Sequence, residues 1–263
     1  MDSVLFDLGF IQIRWYSFLI LIALILGYAL VLKEAKKKNM TNEELTDLAF
    51  YLIIFSILGA RLYYVLFNLD YYLANPIEII MMWHGGLAIH GGIIAGLIFL
   101  IVYCKKKNIN LFLMTDMIVV SLILAQAIGR WGNFFNGEAF GRIVSLDFLK
   151  GLHLPQFIID GMYINGAYRE PTFLYESIIC FIGFIILITV RKKVKIKSGD
   201  LTGIYLIWYS IGRIIIESFR SDSLMLGPVK IAQIISILGI IIGIYLIIKA
   251  RKNKLYIKDK LIK

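Results

Sequence analysis

Charged residues are scarce in this chain of 263 residues, where Asp, Glu, Lys and Arg together make up only 17%. Hydrophobic residues make up 59%, and the mean hydropathy is +0.79. This composition excludes a water-soluble domain of such length, because too few polar groups are present to cover its surface. It predicts a polytopic membrane protein.

Cysteine, histidine and proline are also rare, with two, three and four copies. Cys104 and Cys180 lie in or beside apolar runs and match no metal or redox spacing, so we interpret them as small packing residues. No set of His, Asp and Glu at ligand spacing accompanies a histidine, and we expect neither a metal nor a cofactor. No basic region precedes the first apolar run, which predicts a retained span and not a cleaved signal peptide.

Seven apolar runs are long enough to cross a bilayer as helices. They lie at residues 14–32, 45–67, 85–104, 111–134, 172–190, 201–219 and 228–248. No internal repeat or low-complexity linker separates them, so we expect an all-α polytopic membrane protein with a single integral domain, residues 1–263. The turn-rich loop 136–171 is expected to form a small external cap between the fourth and fifth spans. Its apolar pieces, such as PQFIID, are expected to pair as short strands.

The distribution of basic residues indicates membrane topology. Of the 28 Lys and Arg residues, 19 lie in four clusters, at residues 33–38, 105–107 and 191–197 and from Lys249 onward. If the spans alternate in direction, all four clusters lie on one side of the membrane. The positive-inside rule makes that side cytoplasmic, so the N-terminus lies outside and residues 249–263 form a cytoplasmic tail. The net charge of +10 therefore favours contact with anionic lipid and not with nucleic acid.

Three arginines fall inside predicted spans. At 1.5 Å per residue, Arg61, Arg130 and Arg213 each lie roughly 9 Å from the outer end of their helix. A charge at that depth costs a few kcal/mol or more and normally faces a bundle interior or an aqueous cavity. The acids expected in this layer are outnumbered by arginines, which predicts an anionic ligand. Structural ion pairs and snorkelling are the alternative, above all for the terminal Arg14 and Arg142.

Polar side chains repeat at helical spacing around these arginines, so each group forms a stripe on one helix face. The stripes are Tyr209, Arg213, Glu217 and Arg220 in the sixth span, Arg61, Tyr64 and Asn68 in the second, and Gln126 and Arg130 in the fourth. Each stripe supplies polar groups beside an arginine, where an anionic ligand is expected.

The third span begins WHGG at residues 83–86, and we expect its helix N-terminus to point toward the polar layer. His90 is expected about one and a half turns into this helix. The unperturbed pKa of histidine, near 6.5, suits a proton acceptor at neutral pH. A hydrogen bond to a neighbouring helix is an equal alternative. Gly91, Gly92 and Gly96 predict a close helix-packing face.

The stretch GRWGNFFNGEAFG, residues 129–141, closely resembles the signature Gly-Arg-x-Gly-Asn-Phe-x-Asn-x-Glu-x-x-Gly of bacterial prolipoprotein diacylglyceryl transferases. The resemblance extends along most of the chain. In order, the further similar segments are Arg14-Trp15-Tyr16, GARLYYVLF, HGGLAIHGG, PTFLYE and YSIGRIIIESFR. The chain departs from the family pattern at His84, where many members have an acid, and at Glu170-Pro171, where His-Pro is frequent.

The resemblance implies an enzyme of the bacterial plasma (inner) membrane that performs the first step of lipoprotein maturation. Such an enzyme moves a diacylglyceryl group from phosphatidylglycerol to the lipobox cysteine of a prolipoprotein, and glycerol phosphate leaves. By position, the resemblance implies essential roles for Arg130 and Arg213. It implies supporting roles for Tyr16, His90, Asn133, Glu138, Gly141, Tyr209 and Arg220.

From these considerations together, we assign Arg130, Arg213 and His90 as candidate catalytic residues. The candidate substrate-binding residues are the other residues that the resemblance implies, namely Tyr16, Asn133, Glu138, Gly141, Tyr209 and Arg220, together with Arg61, Tyr64, Asn136 and Glu217. A seven-span bundle with buried arginines is also compatible with an anion transporter, a lipid flippase or a binding module. The clustering of polar groups toward one face, without an inverted repeat, favours an enzyme whose active site faces outward.

Overall fold

The computed structural model describes residues 3–7, 9, 12–193, 196–221, 223–252 and 256, and these are mostly helical. The α-helices are α1 (Trp15–Lys36), α2 (Asn42–Leu66), α3 (Leu69–Ala74), α4 (Ile89–Lys106), α5 (Leu111–Asn136), α6 (Leu146–Gly151), α7 (Gln156–Gly161), α8 (Thr172–Val190), α9 (Asp200–Phe219) and α10 (Ile231–Lys252). Short 3₁₀ turns cover Pro76–Ile79 and Met82–His84.

The strands form antiparallel pairs of two strands each. They are β1 (Val4–Asp7) with β2 (Gln12–Arg14), β3 (Tyr163–Ile164) with β4 (Ala167–Tyr168), and β5 (Met225–Leu226) with β6 (Val229–Lys230). The prediction of an all-α polytopic membrane protein is confirmed, because the strands are short and lie between the long helices.

Six helices of the described chain are long and apolar enough to cross a membrane, namely α1, α2, α4, α5, α8 and α10. The sequence placed a span on each of them and a seventh on α9. Helix α9 has 20 residues, but its polar stripe lowers its hydropathy. Many apolar side chains on these helices are exposed, including Ile25 (59%) and Ile93 (62%). Exposed apolar helix faces are expected where lipid is the solvent.

The predicted start of the third span was wrong by about one turn. Gly85 and Gly86 have φ angles of +91° and +75°, which an α-helix does not allow, so α4 begins only at Ile89. His90 therefore lies in the first helical turn, not one and a half turns into the helix.

Contacts within the chain define two compact units, of which one is Leu32–Met114. Its centre is the pair α2 and α4, which pack through small residues. A Cβ atom on Gly91 would lie 2.3 Å from the carbonyl oxygen of Gly59, and one on Gly96 would lie 2.6 Å from Oγ of Ser56. The packing role predicted for Gly91, Gly92 and Gly96 is confirmed, because only glycine permits this approach.

The other unit contains most of α1 and the chain from Thr115 onward. Its core combines Val120 and Ile123 of α5 with the buried Cys180 of α8 and Leu201 of α9. Asp116 of α5 is fully buried and accepts hydrogen bonds from the backbone N–H groups of Gly199 and Thr202, which lie at the start of α9. A carboxylate at this position satisfies unpaired N–H groups and complements the helix dipole.

The loop 136–171 packs around a small apolar core of its own. Phe134 and Phe173, at the flanking helix ends, stack with ring centroids 4.5 Å apart, and Ile158 and Met162 are buried beside them. The expectation that PQFIID pairs as a strand was wrong: this stretch forms α7, because its apolar residues face the core at helical spacing. The hairpin β3–β4 follows it and turns at Asn165-Gly166, where both residues have positive φ.

Candidate active site

Glu176 joins the two arginines that the sequence identified as catalytic candidates. Arg130 of α5 places Nη2 2.7 Å from Oε1 of Glu176 on α8. Arg213 of α9 places Nη1 3.2 Å from Oε2 of the same carboxylate. One acidic side chain therefore holds guanidinium groups from two different helices, and the three helices meet at this point.

Glu217 adds a second negative charge one helical turn after Arg213. Its Oε2 lies 2.7 Å from Nη2 of Arg213, but the two groups are poorly aligned for a hydrogen bond. We interpret the contact as an ion pair by proximity. The side chain of Glu217 is only 2% exposed, and that of Glu176 is 4% exposed. Buried carboxylates require such partners, because an unpaired buried charge is strongly destabilising.

The two arginines remain accessible beside these buried acids. The side chain of Arg130 is 19% exposed and that of Arg213 is 16% exposed. Since a guanidinium carries five N–H groups, pairing with Glu176 does not exhaust either arginine. The cluster itself contains two arginines and two glutamates, so the arginine surplus expected from the sequence is not present among these four residues. An anion would instead bind to those N–H groups of Arg130 and Arg213 that do not contact the glutamates.

Neighbouring polar residues extend this cluster along α5 and α9. Arg130 donates from Nη1 to Oδ1 of Asn133 over 3.4 Å, which is a long hydrogen bond. Tyr209 lies one turn before Arg213, and its ring stacks on that of Tyr205 at 5.9 Å. Tyr205 in turn accepts a hydrogen bond of 3.0 Å from Gln126. The stripes predicted on these two helices therefore belong to one connected polar region.

The signature segment ends α5 and then turns sharply. Gly137 and Ala139 have positive φ angles of 64° and 57°, and the N–H group of Glu138 donates to the carbonyl oxygen of Asn133 over 2.9 Å. Asn136 lies within 3.4 Å of the Glu138 carboxylate. The asparagines and Glu138 thus organise the turn that follows Arg130.

Gly132 and Gly141 permit close contacts of this segment with other elements. A Cβ atom on Gly132 would lie 2.7 Å from Cδ2 of Tyr16, which brings α1 against α5. Gly141 donates to the carbonyl oxygen of Glu170 over 2.9 Å and forms a β-bridge with Arg220. The segment therefore connects the ends of α5 and α9 with the start of α8.

The predicted site residues of the unit Leu32–Met114 are Arg61, Tyr64 and His90. His90 is exposed, and its ring centroid lies 6.3 Å from that of Tyr63. Tyr64 lines a cavity of about 460 Å³ together with Asn68, Tyr71 and other residues. Arg61 is buried and bonds to backbone carbonyl oxygens of the segment that precedes α4.

Two residues of the site were not assigned roles from the sequence. Glu176 lies in the fifth predicted span, and nothing in a single span indicates that it faces arginines of two others. Lys230 donates from Nζ to the carbonyl oxygens of Glu217 and Arg220. A cation there stabilises the C-terminal end of α9. In the sequence, Lys230 stands apart from the four basic clusters, and this was the available signal that it has a separate role.

The residues at the two departures from the family pattern both contact a side chain of opposite type. Nδ1 of His84 lies 3.0 Å from Oε2 of Glu78. Glu170 is buried and accepts a hydrogen bond of 3.0 Å from Nε of Arg142. Each unusual residue therefore has a partner within the chain, and neither is a member of the Arg130–Glu176–Arg213 cluster.

A family model described as prolipoprotein diacylglyceryl transferase matches residues 3–249 of the chain. The chain belongs to this family. It is 50% identical over 251 residues to the phosphatidylglycerol–prolipoprotein diacylglyceryl transferase of Staphylococcus saprophyticus, and the match covers 95% of this chain and 90% of that protein. The enzyme of the same name from Staphylococcus xylosus is 49% identical with the same coverage. That of Staphylococcus aureus strain MSSA476 is 50% identical, with 95% and 89% covered.

The shared carboxylate leads to a prediction for Glu176→Gln. Loss of the charge leaves two partly buried arginines without their common counter-ion, so we expect at least a roughly tenfold loss of transferase activity. We also expect destabilisation by about 3 kcal/mol, typical of breaking a buried pair. Turnover and thermal unfolding in detergent measure the two effects. Asp147→Asn, which removes an exposed carboxylate, is the control, and equal behaviour of the two variants would contradict the assignment.

Proposed function

We propose that this protein transfers a diacylglyceryl group from phosphatidylglycerol to the thiol of a prolipoprotein lipobox cysteine. The reaction forms a thioether and releases glycerol phosphate. The observation that carries the proposal is the pair of accessible guanidinium groups held by Glu176, in a chain that belongs to the family of this transferase.

The chemistry of the transfer explains why two arginines are needed. The cysteine sulfur attacks the glyceryl carbon bonded to phosphate, so that an S–C bond forms and a C–O bond breaks. The phosphodiester carries one negative charge, and the departing glycerol phosphate gains a second one. We assign Arg130 and Arg213 to hold the phosphate oxygens and to stabilise this additional charge. Fixed donors in a site of low dielectric constant are most effective where charge develops.

The acceptor thiol has a reference pKa of about 8.5, so the site must favour the thiolate. A cationic arginine lowers the cost of this ionisation, and a base must take the proton. We assign His90 as the candidate base, since it is exposed at the first turn of α4. The residues assigned to shape the headgroup site around the arginines are Tyr16, Asn133, Asn136, Glu138, Gly141, Tyr209, Glu217 and Arg220. Tyr64 is proposed as a substrate-binding residue of the unit Leu32–Met114.

The membrane orientation forms part of the same proposal. The basic clusters support a cytoplasmic location for the loops 33–38, 105–107 and 191–197 in a bacterial cell. The N-terminus then lies outside, and the end of α5 with its arginine faces the outer side. This side of the plasma membrane is where the lipobox of an exported prolipoprotein becomes accessible. The cap 136–171, which follows α5, is proposed to close over the lipid headgroup.

The function is tested with purified protein in vesicles that contain phosphatidylglycerol and a peptide bearing a lipobox. We expect a thioether-linked diacylglyceryl peptide and release of glycerol phosphate in equal amounts, both measured by mass spectrometry. A peptide with serine in place of cysteine and vesicles of phosphatidylcholine alone are the controls. Movement of lipid between leaflets without a thioether product would instead indicate a transporter.

Arg213→Lys tests the phosphate contact. Lysine retains the charge but loses the planar fork that binds two oxygens at once. We expect transfer to fall by roughly a hundredfold, with a Michaelis constant for phosphatidylglycerol that changes much less. Steady-state kinetics provide the measurement, and Arg191→Lys in the cytoplasmic cluster is the control. Full activity of Arg213→Lys would refute the phosphate assignment.

His90→Gln tests the base. Glutamine retains hydrogen-bonding capacity but does not accept a proton, so we expect turnover to fall by roughly 10²-fold or more. The loss is expected at neutral pH and is expected to shrink as the pH approaches the pKa of the free thiol, because the thiolate then forms without a base. A pH–rate profile measures this behaviour. Near-normal turnover at pH 7 would exclude His90 as an obligatory base.

A further inference from the structure

Arg61 differs from the other arginines of the predicted polar layer in what it contacts. It is 5% exposed, and its donors point at backbone carbonyl oxygens of residues 75–88, which we call the strap. Nε donates to Ile79 over 3.0 Å, and Nη1 donates to Gly85 and Gly86 over 2.6 and 2.9 Å. Nη2 donates to Glu78 and, over 3.4 Å, to Met81. Five acceptors thus surround a group that has five N–H donors.

Regular structure satisfies only some of these carbonyl groups. The 3₁₀ turns of the strap are only 4 and 3 residues long, and the N–H groups of Met81 and His84 donate to the carbonyl oxygens of Glu78 and Met81. Gly85 and Gly86 have φ angles of +91° and +75°, which no helix allows. Carbonyl oxygens packed against a buried side chain need donors in place of water. Arg61 supplies them from the body of α2, and the ring of Tyr72 lies 5.1 Å from its guanidinium carbon. The guanidinium therefore replaces the hydrogen bonds that a helix or sheet would provide.

The strap leads directly into the helix that carries His90. The N–H group of Ala88 donates to the carbonyl oxygen of Ala60, the residue before Arg61, over 3.0 Å. Helix α4 begins at Ile89, so two adjacent residues of α2 hold both the strap and the residue that precedes the helix. The close contact between Gly59 and Gly91 fixes the next turn. The position of His90 therefore depends on the anchoring of the strap to α2.

We propose that Arg61 is a positioning residue that folds the strap and fixes the first turn of α4, and that it does not bind the lipid phosphate. A phosphate oxygen would have to displace one of the five carbonyl oxygens. This proposal rests on the proposed transferase function for its kinetic test, but its structural test is independent of that function.

Arg61→Lys retains the charge and cannot serve five divergent acceptors. We expect kcat to fall roughly tenfold or more, while the Michaelis constant for phosphatidylglycerol changes less than about twofold. Amide hydrogen exchange of residues 78–88 is expected to accelerate by a similar factor or more. Arg14→Lys, at an exposed arginine, is the control and is expected to leave both measurements near those of the wild type.

Gly86→Ala provides a test that alters no charge. Its Cβ atom would lie 2.4 Å from Nη1 of Arg61, whereas a Cβ atom on Gly85 meets nothing within 4 Å. Both glycines have positive φ, so Gly85→Ala reproduces the backbone strain without the clash. We expect Gly86→Ala to resemble Arg61→Lys, Gly85→Ala to have a smaller effect, and the double variant Arg61→Lys/Gly86→Ala to be no worse than either single variant.

The alternative role of Arg61 has a different signature. If Arg61 binds phosphate, Arg61→Lys impairs transfer, as is expected for Arg213→Lys, but leaves hydrogen exchange in the strap unchanged, which would overturn the proposal. Unchanged exchange together with unchanged turnover would overturn it as well. If the wild-type protein performs no transfer, the function is wrong, but accelerated exchange in Arg61→Lys and Gly86→Ala still supports the structural role.

Discussion

A buried carboxylate that binds two arginines is the interaction on which the candidate active site depends. Guanidinium groups on separate helices repel each other, and in a medium of low dielectric constant the repulsion is substantial. Glu176 offsets it, with contacts of 2.7 Å to Arg130 and 3.2 Å to Arg213. The same contacts hold α5, α8 and α9 together. The ion pairs that form the candidate site therefore also stabilise the packing of these three helices.

The arrangement also determines what the arginines can do. A guanidinium that is completely buried and completely paired cannot bind a substrate, and one in open water binds a phosphate only weakly. Arg130 and Arg213 lie between these limits, since their side chains are 19% and 16% exposed above almost inaccessible acids. Under the proposed function, the directed donors are held in place before the lipid binds, which reduces the cost of reorganisation during the reaction. Arg61 shows the opposite case, because backbone carbonyl oxygens occupy its donors.

Glycine has two separate uses in this protein. At Gly91 and Gly132, the missing side chain permits close approach of another element, and a Cβ atom would lie within 2.3 Å and 2.7 Å of it, respectively. At Gly85 and Gly137, the space is open and the positive φ is the reason for glycine. The sequence alone does not distinguish these uses, since both appear as a glycine beside an apolar run. This ambiguity is why the predicted start of α4 was too early.

The long helices can be located from the amino-acid sequence alone, since a span must contain about 20 apolar residues to cross the bilayer, whichever helices surround it. The family follows from the sequence as well, through the motifs around Arg130 and Arg213. The partners of these arginines follow only from the fold, because pairing depends on how each helix is rotated about its axis, whereas position along a span indicates depth alone. The helical conformation of PQFIID and the contacts of Arg61 with the strap likewise follow from the fold. A short apolar segment and a lone buried charge take their conformation and partners from what packs against them, and that information lies elsewhere in the chain.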